Sequence, residues 1–132
     1  MLLTRQFYVD TTKGIDWINV GHEVRQVVKE MKGENGWIVL IAPHPGAGFS
    51  LMEVMAATAV APIRSALEGM RDSGLVRCLL PKSLVVPIEK KGLMIEPWQE
   101  IILIDYETSG RRREFRVQLF SESSPQEANE PA

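Results

Sequence analysis

The second half of the chain consists of short apolar runs separated by turn residues, a pattern typical of a β-sheet. Gln99 to Tyr106 contains the run Ile101 to Ile104, which is apolar at every position. A strand without alternation is covered on both faces, so this run predicts a central, doubly buried strand. Apolar and polar residues alternate in Arg113 to Phe120, which predicts a last strand with one buried face. We expect the C-terminal half to form the sheet on which the rest packs.

Further strands are predicted where β-branched and aromatic residues are concentrated, because these side chains suit a pleated surface. The segments are Leu2 to Val9, Ile15 to Ile18, Trp37 to Ala42, Ser83 to Ile88 and Leu93 to Ile95. The polar segment Glu89 to Gly92 predicts a tight hairpin turn between the last two of them.

Two segments have the apolar spacing of an amphipathic helix. The apolar stripes consist of Val20, Val24, Val27, Val28 and Met31, and of Val60, Ile63, Leu67 and Met70. Asn19 is the predicted N-cap of the first helix, and Gly33 follows its end. Pro62 suits the first turn of the second helix, because amide hydrogens of that turn have no partner within the helix. Residues 72–74 end the second helix.

Residues 49–60 are ambiguous by local pattern. Ser50 to Glu53 fits a capping box, and the Ala- and Met-rich residues that follow favour a helix. The apolar content of residues 49–63 also suits a contact between subunits.

Length and composition limit the class of protein. The chain has 132 residues, which is the size of one domain, and 45% of them are hydrophobic. The formal net charge of −2 indicates neither nucleic acid nor an anionic membrane as a partner. Cys78 is the only cysteine, so an intrachain disulfide is excluded. We expect a single domain over residues 1–120 and a disordered tail over residues 121–132, which lack large apolar side chains.

The sequence favours a cytoplasmic location. The N-terminus has no long apolar region of the kind that secretory signals contain. The most apolar segment, Val54 to Ile63, is shorter than the about 20 residues needed to span a bilayer.

His44 is the principal candidate for chemistry. It follows the predicted strand Trp37 to Ala42 in a loop rich in Pro and Gly, where a neutral imidazole can transfer a proton or bind a metal. A histidine in such a loop is also commonly structural. Zinc needs three or four protein ligands, and the spacing of His22 and Cys78 from His44 does not suggest such a site. We therefore predict no metal site built from these residues.

Groups that can bind an anion occur on two other segments. The backbone amides of Gly46, Ala47 and Gly48 permit close approach, although a plain turn is the alternative interpretation. Arg112 and Arg113 belong to a basic hairpin tip, and Arg binds phosphate through two parallel hydrogen bonds. These residues form a candidate phosphate site.

Glu53 also permits more than one interpretation. Its carboxylate can act as a general base or hold Mg²⁺ through water. It can equally be a surface acid or a helix cap.

An ordered set of residues resembles the signature of the YjbQ family. The set comprises Ser83, Val86-Pro87-Ile88, Gly92-Leu93, Trp98-Gln99, Ile101 and Arg111-Arg112-Arg113. His44 and Ala47 extend the resemblance, which covers roughly residues 2–119. It implies an α+β protein, a jelly-roll-like β-sandwich of about eight short strands with two flanking helices. It also implies a strand over residues 47–53, which we adopt, and a homotrimer with pockets near the subunit interfaces.

The family is associated with secondary thiamine-phosphate synthase activity, and the resemblance implies that chemistry here. Such an enzyme joins a pyrimidine diphosphate to a thiazole phosphate with loss of pyrophosphate. His44 would move protons, Glu53 would help to hold Mg²⁺, and Arg113 would bind phosphate together with the Gly46–Gly48 backbone. The pocket would also include Ser83, Trp98 and Gln99.

One segment departs from the family pattern, and this departure favours a non-catalytic protein. The segment Gly74 to Leu80 is shorter than its family counterpart and lacks the histidines found there. The alternative is a non-catalytic protein that binds a small anion or serves as a homo-oligomeric assembly module. A pocket shared by His44, Glu53 and Arg113 requires that the three side chains lie within roughly 10 Å of one another.

Overall fold

The computed structural model describes residues 1–12, 14–53, 57–107 and 110–122, and within the second helix only the side chains beyond residue 60. The described residues form eight strands and three helices. The strands are β1 (Leu2–Asp10), β2 (Asp16–Asn19), β3 (Gly36–Ile41), β4 (Ala47–Glu53), β5 (Ser83–Glu89), β6 (Gly92–Leu93), β7 (Gln99–Asp105) and β8 (Arg112–Ser121). The helices are α1 (Gly21–Val28), α2 (Ala57–Ser73) and α3 (Val76–Leu79).

Two antiparallel sheets face each other, with strand orders β1-β8-β3-β5-β6 and β2-β7-β4. Their facing sides share one core, in which Phe115 stacks on Phe7 and meets Phe49 edge-on. The predicted helical stripe completes this core, and all of its members are buried. Val24, Val27 and Val28 lie in α1, whereas Val20 precedes the helix and Met31 follows it. Val20, and not the predicted Asn19, is the N-cap of α1, although the Asn19 side chain accepts a hydrogen bond from the Gly21 amide. The predicted α+β sandwich is confirmed.

Strand β7 is covered on both faces, as the unbroken apolar run predicts. Ile101 and Leu103 point into the core between the sheets. Ile102 and Ile104 point to the other side, where side chains of α2 and α3 cover them. Each fully buried aliphatic side chain stabilises the fold by about 1.5–3 kcal/mol, so β7 contributes to both cores.

The outer face of the five-stranded sheet is not covered by described residues. Trp37 and Val85 point outward because they alternate with the buried Ile38 and Val86. Leu2 is also exposed there.

The apolar residues of β4 do not form a surface for a contact between subunits. Phe49 is buried, and Leu51 and Met52 pack against the two cores.

Strand β4 resolves the ambiguity for residues 49–53, whereas residues 54–56 of the ambiguous segment lie outside the described residues. All seven residues of β4 pair with β7, so a strand forms and the capping box does not act. Pairing with a doubly buried strand outweighs a local helical preference. Helix α2 starts at Ala57, earlier than predicted, and Pro62 lies inside it instead of in its first turn.

Two boundaries also differ from expectation. Helix α3 was not predicted, and it buries Val76 beneath the outer side of β7. Ser121 is part of β8 and not of the tail, because it pairs with Gly36 and its amide bonds the Met1 carbonyl. Residues 123–132 of the predicted tail, residues 108–109 of the predicted turn and the side chain of Val60 lie outside the described residues.

Within the described ranges, no helix has both the length and the apolar character needed to cross a membrane.

Candidate functional site

The three-stranded sheet separates the predicted site residues into two groups. Ala47 pairs with Asp105 at one end of β4, and Glu53 pairs with Gln99 at the other end. Because a strand rises about 3.3 Å per residue, these two ends are about 20 Å apart. His44 precedes Ala47 by three residues, so it lies near the first end. Glu53 therefore does not converge with His44 within one chain, and the expectation of a pocket shared by both is wrong for a single subunit.

Arg113 and Asp105 form a buried ion pair at the first end. Arg113 faces the core because it alternates along β8 with exposed Arg112. Its Nη2 atom donates to Oδ1 of Asp105 at 2.9 Å, and the two side chains are only 3% and 1% exposed. Asp105 also accepts a 2.6 Å hydrogen bond from the Thr11 hydroxyl and a 2.9 Å bond from the Glu107 amide. Both carboxylate oxygens are thus satisfied.

This environment lowers the pKa of Asp105. Burial by itself raises the pKa, because it disfavours the charged form. Hydrogen bonds from Arg113, Thr11 and the Glu107 amide, together with the Arg113 charge, outweigh burial. Asp105 is therefore held as a carboxylate whose charge Arg113 compensates.

The same pair shapes the loop that carries His44. Arg113 Nη1 donates to the Pro45 carbonyl at 2.8 Å, and the Tyr106 amide donates to the Gly46 carbonyl at 2.9 Å. Gly46 has φ +96°, and a Cβ atom on it would lie 2.3 Å from Glu107 Cγ and 2.5 Å from Arg113 Nη2. Only glycine fits this position without displacement. Arg113 is consequently occupied in holding the loop, and it is not among the residues that line the cleft described next.

A cleft of about 420 Å³ opens over this loop, and we call it the Gly46 cleft. It is lined by Pro45, Gly46, Arg77, Leu80, Lys82, Tyr106 and Glu107. Arg77 and Lys82 are exposed, and within the described residues neither side chain forms an ion pair. Glu107 is the one acidic lining residue, and it lies 3.5 Å from Arg111. The cleft thus combines two free cations with a rigid backbone segment.

A second cavity adjoins the first one. It has a volume of about 480 Å³ and shares Arg77, Tyr106 and Glu107 with the Gly46 cleft. The end of α2 forms its other wall, which includes Arg71 and Ser73. Together the two cavities have the size typical of small-molecule sites.

The remaining predicted residues are dispersed. Ala47 and Gly48 are buried in β4 and do not line the cleft, so only Gly46 of that trio does. Arg112 points away from the core and lies over the Tyr8 ring at 4.9 Å. Arg112 is thus separated from the loop that was predicted to share a phosphate with it.

Three predicted pocket residues lie apart from the cleft lining. Ser83 is exposed and pairs with Ile41, just before the His44 loop. Trp98 is exposed, and the Gln99 side chain accepts a hydrogen bond from the Glu96 amide. Both lie at the Glu53 end of the sheet. His44 itself is exposed beside Pro45 without lining the cleft.

Four residues of this region escaped sequence reasoning, namely Thr11, Arg77, Lys82 and Asp105. Asp105 did have a signal, because a carboxylate directly after the buried run Ile101 to Ile104 requires a partner. Arg77 and Lys82 had none, since exposed basic residues are common on any surface.

The described residues contain no cluster of three or more His, Cys, Asp or Glu side chains able to hold a metal ion.

Comparisons with known proteins identify the family. Residues 5–122 match the family described as UPF0047 protein YjbQ-like. No curated protein matches the sequence at a significant level.

Solved structures share the fold. A YbjQ-like protein of unknown function from Sulfolobus solfataricus P2 is 18% identical and superposes with a TM-score of 0.81 over 92% of this chain and 99% of that one. A hypothetical protein from Aeropyrum pernix K1 is 21% identical, with a TM-score of 0.79 over 91% and 99% of the two chains. An uncharacterised conserved protein of the same family from Clostridium acetobutylicum is 19% identical, with a TM-score of 0.78 over 88% and 99%. With the fold and 118 matched residues in agreement, this chain belongs to the UPF0047, YjbQ-like family.

Proposed function

We propose that the protein binds a small phosphorylated molecule in the Gly46 cleft. The observation that carries this proposal is that two cations without ion-pair partners among the described residues, Arg77 and Lys82, line one cavity together with the Pro45-Gly46 backbone. Arg offers a planar fork that matches a phosphate, and Lys adds a point charge. The adjoining cavity gives room for the body of the ligand.

The fixed backbone of Pro45 and Gly46 favours a ligand-binding role for the cleft. Pro45 and Gly46 are held by hydrogen bonds from Arg113 and from the Tyr106 amide. A site that is already ordered loses less conformational entropy when a ligand binds. The buried pair of Arg113 and Asp105 therefore acts as a support, and the exposed cations are the ligand contacts.

A second candidate is the thiamine-phosphate synthase reaction, and one observation favours it. His44 is exposed and directly precedes Pro45, which lines the Gly46 cleft. Its imidazole can reach solvent and exchange a proton with a ligand at the cleft mouth. The pyrimidine diphosphate and the thiazole phosphate both carry the anionic groups that Arg77 and Lys82 would attract.

The residues around the cleft fit a magnesium ion poorly. Mg²⁺ prefers octahedral oxygen ligands and commonly takes one or two carboxylates besides phosphate oxygens and water. Glu107 is the single carboxylate of the cleft lining and lies beside Arg111, while Glu53 is at the far end of β4. The proposed chemistry therefore does not use Mg²⁺.

Calorimetry with orthophosphate, pyrophosphate and thiamine phosphate tests the binding proposal. We expect the wild type to bind at least one of them, and Arg77→Gln and Lys82→Gln each to weaken binding about tenfold or more, as loss of a charge-assisted hydrogen bond implies. Lys32→Gln removes an exposed lysine elsewhere and is the matched control. Absence of binding by the wild type, or equal losses in all three variants, would refute the site.

The synthase candidate requires a separate assay. Thiamine phosphate formation from the two phosphorylated precursors is measured for the wild type, for His44→Ala and for Glu53→Gln. A turnover that His44→Ala abolishes and Glu53→Gln leaves intact supports the chemistry at this cleft. If the protein binds the ligands without turnover, the anion-binding proposal is retained and the synthase candidate is rejected.

We also propose the homotrimer that the family resemblance implies. Leu75 and Leu79 support it, because both are exposed next to the wall of the Gly46 cleft, and Leu79 is 64% exposed. Covering them with a second subunit would bring the cleft close to a subunit interface. Light scattering of the wild type and of Leu75→Ser/Leu79→Ser tests this, and a monomeric mass for the wild type would contradict it.

A further inference from the structure

A groove separate from these cavities lies at the start of β3, whereas the His44 loop follows the other end of that strand. The groove has a volume of about 690 Å³ and opens on the outer face of the five-stranded sheet. Trp37 and Phe120 form its aromatic wall, with their rings stacked at 5.3 Å and only 13° apart in plane. Leu2 and Met94, which are both exposed, complete the apolar surface. We call this cavity the Trp37 groove.

The rim of the Trp37 groove is acidic. Glu89 and Glu122 both belong to its lining, and none of the described lining residues is Lys, Arg or His. The one positive group is the ammonium of Met1, which donates to the Ser121 carbonyl at 2.9 Å. Glu122 accepts a hydrogen bond from Asn35, whereas Glu89 has no ion-pair partner among the described residues. The groove thus combines an aromatic face with excess negative charge.

We propose that the Trp37 groove binds a small organic ammonium ion that carries apolar substituents. The face of an indole attracts cations through its quadrupole, and Trp is the strongest of the aromatic side chains in this respect. Half of the Trp37 surface is available, since the side chain is 48% exposed. Carboxylates at the rim attract the charge, and the Leu2 and Met94 side chains pack against the apolar substituents. A neutral or anionic ligand of the same shape would lack the first two interactions.

This site is independent of the proposed phosphate site. Trp37 is near the start of β3, whereas the His44 loop follows the end of that strand at Ile41. The two cavities share no lining residue. Either site can therefore fail its test without affecting the other.

The test compares choline with 3,3-dimethyl-1-butanol, its uncharged isostere, by calorimetric titration of every variant. In the wild type, the Trp37 indole NH signal in NMR also reports whether the ligand reaches the groove. We expect choline to shift this signal and to bind about tenfold more tightly than the alcohol. Trp37→Leu retains apolar bulk without the ring face and should weaken choline binding about tenfold. Glu89→Gln with Glu122→Gln should weaken it several-fold, and these exposed positions tolerate the change.

Trp98→Leu is the matched control, because Trp98 is also exposed but does not line the groove. Equal binding of choline and its isostere would overturn the proposal, and so would equal losses in Trp98→Leu and Trp37→Leu. A Trp37 signal that moves with protein concentration in the absence of choline would overturn it as well, since a second copy of the chain would then cover the groove. Circular dichroism of each variant separates lost binding from lost folding. If Trp37→Leu does not fold, the variant with Glu89→Gln and Glu122→Gln still tests the proposal.

Discussion

The guanidinium of Arg113 lies 2.9 Å from the carboxylate of Asp105, and this contact joins the two sheets at one end of their shared core. Arg113 belongs to β8 of the larger sheet, and Asp105 ends β7 of the smaller one. A buried ion pair gains attraction but loses hydration of both groups, so its net contribution to stability is small when both partners are present. The ion pair mainly positions the loop that carries His44, because the same guanidinium donates a hydrogen bond to the Pro45 carbonyl.

Removal of both partners should therefore cost less than the sum of the two single removals. Asp105→Asn or Arg113→Met each leaves an uncompensated buried group, and we expect a loss of about 3–5 kcal/mol in the free energy of unfolding. The double variant Asp105→Asn/Arg113→Met should lose clearly less than the sum of the single losses. Urea unfolding at neutral pH measures all three. Glu114→Gln, which breaks the more exposed pair with Arg116, is the control and should change stability by at most about 1 kcal/mol. Additive losses at Asp105 and Arg113 would contradict the coupling.

Stability should fall in acid because of Asp105. The pKa of this carboxyl is lower in the folded protein than in the unfolded chain, so the unfolded state takes up its proton first as the pH decreases. The stabilisation is complete above the ordinary pKa of an aspartic acid and is lost as the pH falls through the lower folded value. Urea unfolding from about pH 6 to about pH 3 should show a steeper decline for the wild type than for Asp105→Asn. Parallel declines would show that other carboxyl groups dominate.

Gly46 should not tolerate a side chain. Its φ of +96° is unfavourable for other residues, and a Cβ atom would clash with Glu107 and Arg113. We expect Gly46→Ala to reduce the free energy of unfolding by about 1–3 kcal/mol and to weaken anion binding at the cleft. Gly69→Ala is the matched control: Gly69 lies in α2 with nothing within 4 Å, so this change should stabilise by up to about 1 kcal/mol. Equal effects at the two glycines would contradict the role assigned to Gly46.

The hairpin between β5 and β6 is strained and should be easy to improve. Lys90 and Lys91 adopt φ values of +52° and +62°, a conformation that Asn and Gly adopt far more readily in such turns. Lys90→Asn/Lys91→Gly should raise the midpoint of thermal unfolding by a few degrees, corresponding to about 0.5–1 kcal/mol. Lys29→Asn/Lys32→Gly makes the same replacements outside the turn and should not stabilise. A lower midpoint for the hairpin variant would indicate that the lysine side chains contribute contacts of their own.

Local pattern identified seven of the eight described strands and the two longer helices of this fold. The unbroken run Ile101 to Ile104 indicated a strand buried on both sides, and the stripe from Val20 to Met31 indicated the face that α1 buries. Both signals are strong because burial of apolar surface dominates folding and leaves a period in the sequence. Local pattern failed at Ser50 to Glu53, where pairing with β7 overrode a helical preference, and the family resemblance supplied the strand.

The site depended on contacts that no local pattern encodes. Arg113 was expected at a phosphate and instead pairs with Asp105, because the register of β8 turns it inward and the sandwich brings β7 opposite. His44 and Glu53 were expected together, and the length of β4 keeps them apart. The sequence by itself determined most of the strands, the two longer helices and the apolar face of each, since those properties follow from neighbours along the chain. Only the tertiary structure decided which charges meet, because ion pairs and clefts join residues that strand order and register bring together.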